Sequence, residues 1–204
     1  MRLNGSIKKL RILSLVAVAG YLCLCECKAQ NFSDSSGMDG GLAGQVLASA
    51  KEYKSRTIYS SLSPQVIDAT PDARLCQVIN DYMRSKMNWT LSNETEVLQN
   101  ESEAARAVYV VSQIEAEVNN GGFSQLYSGS AARLGDMAEE SFRLVKAPLF
   151  AALIKKAHTI YKQEGISDNL KALDEEFFNL YDREELGKLK ISYIRKSKKA
   201  FKAN

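Results

Sequence analysis

The amino-acid sequence predicts an all-α protein, a compact bundle of about six to eight helices. Three observations predict it. Beyond residue 41, apolar residues recur at spacings of three and four through most of the chain. Sustained alternation of period two with β-branched residues, the mark of a half-buried strand, is missing from the sequence. Prolines number only 3, and two of them, Pro71 and Pro148, stand where helices begin.

Taken in order, the first helix is expected from about Leu42 to Tyr59, with Leu42, Val46, Ala50 and Tyr53 on one face. A break is expected over Ser61 to Asp68. Thr70 is a suitable N-cap with Pro71 at the first helical position, and Leu75, Val78, Ile79, Tyr82 and Met83 make an apolar stripe ending near Met87. Asn88 to Asn100 is polar and reads as a loop. It holds Asn88-Trp89-Thr90, Asn93-Glu94-Thr95 and Asn100-Glu101-Ser102, three formal glycosylation sequons that arise readily by chance in an Asn-rich stretch. A third helix is expected from Glu101 to Asn119, with Ala104, Val108, Val111, Ile114 and Val118 on one face and Asn119-Asn120-Gly121-Gly122 closing it. Phe123 to Tyr127 suits a short helix. Ser130 can cap the next, which turns Leu134, Met137, Ala138, Phe142 and Val145 inward. Pro148 begins another, with Leu149, Leu153, Ala157, Ile160 and Tyr161 as its stripe and Gly165 as its stop. Leu170, Leu173, Phe177 and Leu180 mark a further helix, and the last runs from about Arg183 to Phe201.

Residues 1–29 read as a secretory signal peptide. Arg2, Lys8, Lys9 and Arg11 give a basic start, and Ile12 to Cys25 is apolar apart from Ser14, shorter than the roughly 20 residues of a membrane span. Cys27-Lys28-Ala29 places small residues ahead of a cut after Ala29. The alternative within export is a lipid anchor at Cys23, Cys25 or Cys27, although Glu26 spoils the sequence before Cys27. Residues 30–41 are polar and glycine-rich and read as a flexible tether. Residues 42–204 then form a single helical domain.

Hydrophobic residues are 45% and charged residues 25% of the 204, ordinary for a soluble domain. The net charge of +3 mixes two parts. Removing residues 1–29 takes five of the 27 basic residues and one of the 24 acidic ones, which leaves 22 against 23 and a net charge of −1. That balance argues against both a nucleic-acid binder and a strongly acidic mimic. Three of the four cysteines lie in the leader, so the exported chain keeps Cys76 alone, on an apolar helix face, as a buried thiol without an internal disulfide.

The densest motif is Glu115-Ala116-Glu117-Val118-Asn119-Asn120-Gly121-Gly122-Phe123-Ser124-Gln125-Leu126-Tyr127. It resembles the signature of the DNA-mimic-protein-like family, catalogued as domain of unknown function 4375: an acidic-Val-Asn-Gly-Gly-Phe core followed by Gln and an aromatic. Leu173-Asp174-Glu175-Glu176-Phe177-Phe178-Asn179-Leu180 is similar to the family's Leu-Asp-x-x-aromatic-aromatic segment. Tyr193-Ile194-Arg195, leading to Phe201, is similar to its closing helix. The resemblance covers roughly Leu75 to Phe201 and implies an α-helical fold with no established enzyme activity. A family Asn often found soon after the aromatic pair is replaced here by Ser128-Gly129-Ser130. The family's named member is an acidic decoy for a DNA-binding protein, a role that needs carboxylates spaced like phosphates. A chain at −1 lacks that surface overall, so the resemblance carries the fold further than the function.

The motif has two readings. Structurally, Gly121 closes the helix in a left-handed conformation, Gly122 lets the chain reverse, Phe123 and Tyr127 pack in the core, and Asn119 and Gln125 tie turn backbone groups together. Functionally, Glu117, Asn119, Asn120 and Gln125, with Tyr127 beside them, form a polar cluster at a binding groove. Glu94, Glu96, Glu101, Glu103, Glu115 and Glu117, with Arg106 opposing, read as a solvated helix face, the alternative being an acidic partner-binding face. Lys188, Lys190, Arg195, Lys196, Lys198, Lys199 and Lys202 complement a helix C-terminus and keep the chain soluble; a nucleic-acid or membrane patch is the alternative. His158, the single histidine, has no Cys or second His beside it, so neither a metal site nor a Ser-His triad is read, and no cofactor is implied.

These residues lead to an exported helical domain that binds another protein through the Gly121-Gly122 turn. The alternative is a hydrolase-type enzyme using Glu117 or Asp174 with the nearby amides, and a third class is a structural envelope protein. A polar pocket joining Glu117, Asn120, Gln125 and Asp174 favours the enzyme; a flat apolar patch at Leu126 and Tyr127 favours the binding module.

Overall fold

The computed structural model describes residues 42–201, without the side chains of residues 42, 43 and 45–47. The leader at 1–29 and the tether at 30–41 lie outside the described residues. The chain divides into two units, Met1–Thr57 and Ile58–Asn204. In the first, helix α1 spans Leu42–Ser55, four residues short of the expected Tyr59, and Tyr53 is exposed.

Within the second unit every described element is helical. Helix α2 (Pro64–Ala69) occupies the expected break: Ser63 Oγ accepts from the Val66 N–H, Pro64 takes the first helical position, and Ile67 is buried. Thr70 is therefore the end of α2 rather than the N-cap of the next helix. Its hydroxyl donates to the Val66 carbonyl at 2.7 Å, and α3 (Asp72–Ser85) starts behind Pro71 without a side-chain cap. Arg195, from far along the chain, donates to the Ile67 and Thr70 carbonyls and pairs with Asp72, satisfying carbonyls that α2 leaves open.

The expected loop Asn88–Asn100 is half helix, α4 (Glu94–Asn100), because Leu98 and the Glu94 carboxylate are both buried. Helix α5 (Glu103–Ser128) is the central element. It packs against α3 on one side and, on others, against α6 (Gly135–Leu144), α9 (Leu173–Asn179), α10 (Leu186–Lys196) and the closing 3₁₀ turn Lys198–Phe201. Ala104, Ala105, Ala107, Val108, Tyr109, Val110 and Val111 are all buried, so the first half of the helix is covered on most of its sides, as a helix surrounded by others must be. It does not stop at Asn119. It kinks at Gly121 and Gly122 and continues to Ser128.

A 3₁₀ turn, Ser130–Leu134, leads into α6, which lies against α7 (Pro148–Glu164). Gly165, at φ 70°, ends α7 as expected. The first turn of α7 has no local cap; Glu184 supplies one from a distance, accepting from the N–H groups of Leu149 at 2.8 Å and Phe150 at 3.1 Å. The short α8 (Asp168–Lys171) and α9 carry Leu170, Leu173 and Phe177 into the core. The all-α bundle is as expected, and Cys76 is buried.

The acidic region is a solvated face only at Glu96 and Glu103, which are exposed. Three of its carboxylates each receive one tyrosine hydroxyl and one cation. Glu94 is held by Tyr109 and Arg133, Glu101 by Tyr82 and Lys86, and Glu115 by Tyr181 and Lys190. Glu94 and Lys190 are 3% and 2% exposed, so these are interior ion pairs between segments distant in sequence. The same contacts employ much of the basic tail: Lys190 is inside, Arg195 caps α2, and Lys198 pairs with Asp68.

Candidate functional site

The Asn-Asn-Gly-Gly-Phe motif forms the kink in α5. Gly122, not Gly121, adopts the conformation closed to other residues, at φ 72° and ψ −171°. Gly121 is extended, at φ −163°, where any residue fits. The chain accordingly bends rather than reverses. Beyond the bend, Phe123 packs edge-on against Phe177 at 5.8 Å, and Phe177 in turn against Phe150 at 5.0 Å.

Asp174 is the counterpart of the kink. Its Oδ1 accepts from the Phe123 N–H at 2.8 Å, satisfying a backbone donor that the bend removes from the helix ladder. A Cβ on Gly122 would lie 2.2 Å from Asp174 Oδ2, so the carboxylate fills the space that a side chain would need. The Gly-Gly-Phe and Leu-Asp motifs, which the sequence shows separately, are the two halves of one lock.

The other expected site residues divide into buried and exposed groups. Glu117 is 6% exposed and accepts from Gln125 Nε2 at 3.1 Å, a pair that spans the kink. The Gln125 side chain lies over Gly121, where a Cβ would stand 2.8 Å from Gln125 Cβ. Asn119 donates to the Tyr181 hydroxyl at 3.1 Å, and that hydroxyl donates to Glu115 at 3.0 Å. Neither Asn119 nor Gln125 thus ties turn backbone groups by its side chain, as the structural reading expects; Asp174 does. Burial and the neighbouring Glu115 charge push the Tyr181 phenol well above its usual range.

Tyr127 is buried and stacks on Tyr161 at 4.1 Å. Its hydroxyl lies 3.4 Å from His158 Nδ1, and His158 Nε2 lies 3.0 Å from Asp136. Burial, then the nearby Tyr161 and Asp136, raise the Tyr127 phenol strongly. A Cβ on Gly135 would meet the imidazole at 2.4 Å, so the ring is seated on that glycine. The sequence holds no signal for this contact, since Tyr127, Asp136 and His158 follow no shared motif. Among the described residues, no group of three or more His, Cys, Asp or Glu side chains is placed to hold a metal.

Leu126 and Tyr127 are 2% and 4% exposed, so no apolar patch lies there. What faces solvent is the outer rim of the kink, Asn119, Asn120 and Gly121. On α9, Phe178 is 46% exposed and stands one turn along from Asp174 on the same helix face.

Fold and site together define an all-α domain built around a glycine kink locked by a distant carboxylate. Residues 99–197, just under half of the chain, match the model of the family described as DMP19-like protein. The match bears out the resemblance carried by the two motifs, over a narrower span than Leu75 to Phe201. No curated protein and no solved structure gives a significant match.

Proposed function

We propose that this chain is an exported protein-binding domain whose docking surface is the outer rim of the kink, with Asn120 and Phe178 as the contacting residues and Asn119 beside them. Glu117, Gln125 and Tyr127 then shape the surface from within. The observation that supports this reading is the division of labour in the motif. Glu117, Gly122, Phe123 and Gln125 serve the kink from within, while Asn120 and Gly121 lie beside it at the surface. A preorganised rim lowers the entropic cost of association.

Two contrary roles fit less well. A hydrolase needs a carboxylate open to substrate, whereas Glu117 is buried against Gln125 and Asp174 is occupied by Phe123 and Gly122. A decoy for DNA needs a dense array of unpaired surface carboxylates, whereas several of those here, Asp68, Asp72, Glu139 and Glu176 among them, are paired with a lysine or arginine. Export rests on the basic and apolar pattern of residues 1–29, with a lipidated Cys27 as the alternative end point.

The test is affinity capture from the native envelope, read by mass spectrometry. A partner retained by the wild type, and lost with Asn120→Arg and with Phe178→Ala at unchanged melting temperature, supports the reading. Identical captures by all three proteins, or salt-sensitive capture of a transcription factor, overturn it.

A further inference from the structure

The loop between α3 and α4 carries the single tryptophan of the chain, and Trp89 is 94% exposed. Among the described residues of the unit, Ile58, Ile166 and Phe178 are also large, apolar and exposed, but none to this degree. An indole that is normally buried or half-buried stands here wholly in water.

The loop that presents it is held by its own hydrogen bonds. Asn88 Oδ1 accepts from the Ser92 N–H and the Thr90 hydroxyl, each at 3.0 Å, and Asn88 Nδ2 donates to Ser92 Oγ at 2.7 Å. Asn93 accepts from the Asn88 N–H at 2.8 Å and donates to the Lys86 carbonyl at 3.3 Å. Leu91 sits at φ 57°, a left-handed conformation uncommon outside glycine. Its backbone is bonded on both sides, from the Leu91 N–H to Asn88 O and from the Glu94 N–H to Leu91 O. Strain of this kind persists where surroundings over-determine it, and it gathers at binding sites. The asparagines of two of the formal sequons are thus the framework of the loop.

The chemistry of the loop is narrow. Residues 87–93 carry no charge. Lys86, just before them, is held by Glu101 and lies over the Tyr82 ring, and Glu94, just after, is buried. What remains at the surface is one flat apolar ring framed by the amide of Asn88 and the hydroxyls of Thr90 and Ser92.

We propose that the Trp89 loop is a binding site for a neutral carbohydrate. The C–H face of a sugar ring stacks on the indole, and its hydroxyls exchange hydrogen bonds with Asn88, Thr90 and Ser92. Size and charge favour this occupant. A stable protein interface buries about 800 Å² on each side. One aromatic side chain offers about 150–250 Å², and Met87 and Leu91 beside it are already partly buried. An anionic lipid surface calls for available cations next to the aromatic, whereas Lys86 is engaged with Glu101. A sugar ring needs only a flat face and neutral donors and acceptors. The loop precedes residues 99–197 in the sequence, so its residues lie outside the family-matched segment.

Because Trp89 is the sole tryptophan, indole fluorescence reports on this site alone. The full chain is titrated with cello-, chito- and malto-oligosaccharides, and co-sedimentation with the matching insoluble polysaccharides is measured. At least one series is expected to shift and quench the emission to saturation. Trp89→Ala abolishes co-sedimentation while the melting temperature holds, and Trp89→Tyr keeps the affinity within about tenfold. The proposal is overturned if no series moves the emission or if Trp89→Ala still sediments. It also fails if phosphatidylcholine vesicles shift the emission where sugars do not, or if the shift follows protein concentration alone, which assigns the loop to lipid or to self-association.

Discussion

Replacing Gly122 by alanine tests the lock most directly. The backbone there, at φ 72° and ψ −171°, is open essentially to glycine alone, and holding another residue in it costs about 1–3 kcal/mol. The added Cβ would stand 2.2 Å from Asp174 Oδ2 and 2.5 Å from Asp174 Cγ, so the carboxylate must withdraw. Its withdrawal breaks the 2.8 Å bond from the Phe123 N–H, a bond to a charged acceptor worth about 1.5–3 kcal/mol. The sum, about 3–6 kcal/mol, is a large part of a usual margin of about 5–15 kcal/mol. Gly121→Ala lacks the strained φ and meets only Gln125, so it is expected to cost about 1–3 kcal/mol. Urea unfolding of both variants measures the difference. Adding Asp174→Ala to Gly122→Ala relieves the clash but not the backbone strain, so the pair should couple by about 0.5–3 kcal/mol. If Gly122→Ala unfolds like wild type while Gly121→Ala does not, the assignment of the kink to Gly122 is wrong.

Glu94→Ala leaves the Arg133 guanidinium and the Tyr109 hydroxyl without their buried acceptor and should cost about 3–5 kcal/mol in urea unfolding, whereas exposed Glu96→Ala stays within about 0.5 kcal/mol. Tyr127 and Tyr181 both titrate above their unfolded value of about 10, so above that pH the folded state holds protons that the unfolded state has released; stability is full below about pH 10, falls as pH rises beyond it, and falls less steeply in Tyr127→Phe and Tyr181→Phe, as urea midpoints across that range will show. Glu184→Gln weakens the remote cap on α7 and should cost about 0.5–2 kcal/mol, read as a lowered thermal midpoint. N-terminal sequencing of the exported form should begin at or near Gln30; a blocked, lipid-modified Cys27 would replace a freely released exported form with an anchored one.

Much of the fold was legible before any coordinates. Spacings of three and four found α5, α6, α7 and α9, because each buries one stripe or more and the stripe is local in sequence. Pro148 and Gly165 bounded α7 for the same reason, since the backbone preferences of proline and glycine act within a residue or two. The two motifs and the all-α class were likewise present in the sequence alone. Only tertiary structure decided what the charged residues do. Glu94, Glu101 and Glu115 look like a solvated face in sequence, yet each meets a tyrosine and a cation between 15 and 75 residues away along the chain. The same holds for α4, which forms because its Glu94 and Leu98 are buried by other helices, and for Gly122, whose need for glycine comes from Asp174 rather than from its neighbours in sequence. Local periodicity records which face of a helix is apolar; it holds no record of which distant carboxylate or hydroxyl will close over it, because that pairing exists only once the chain has packed.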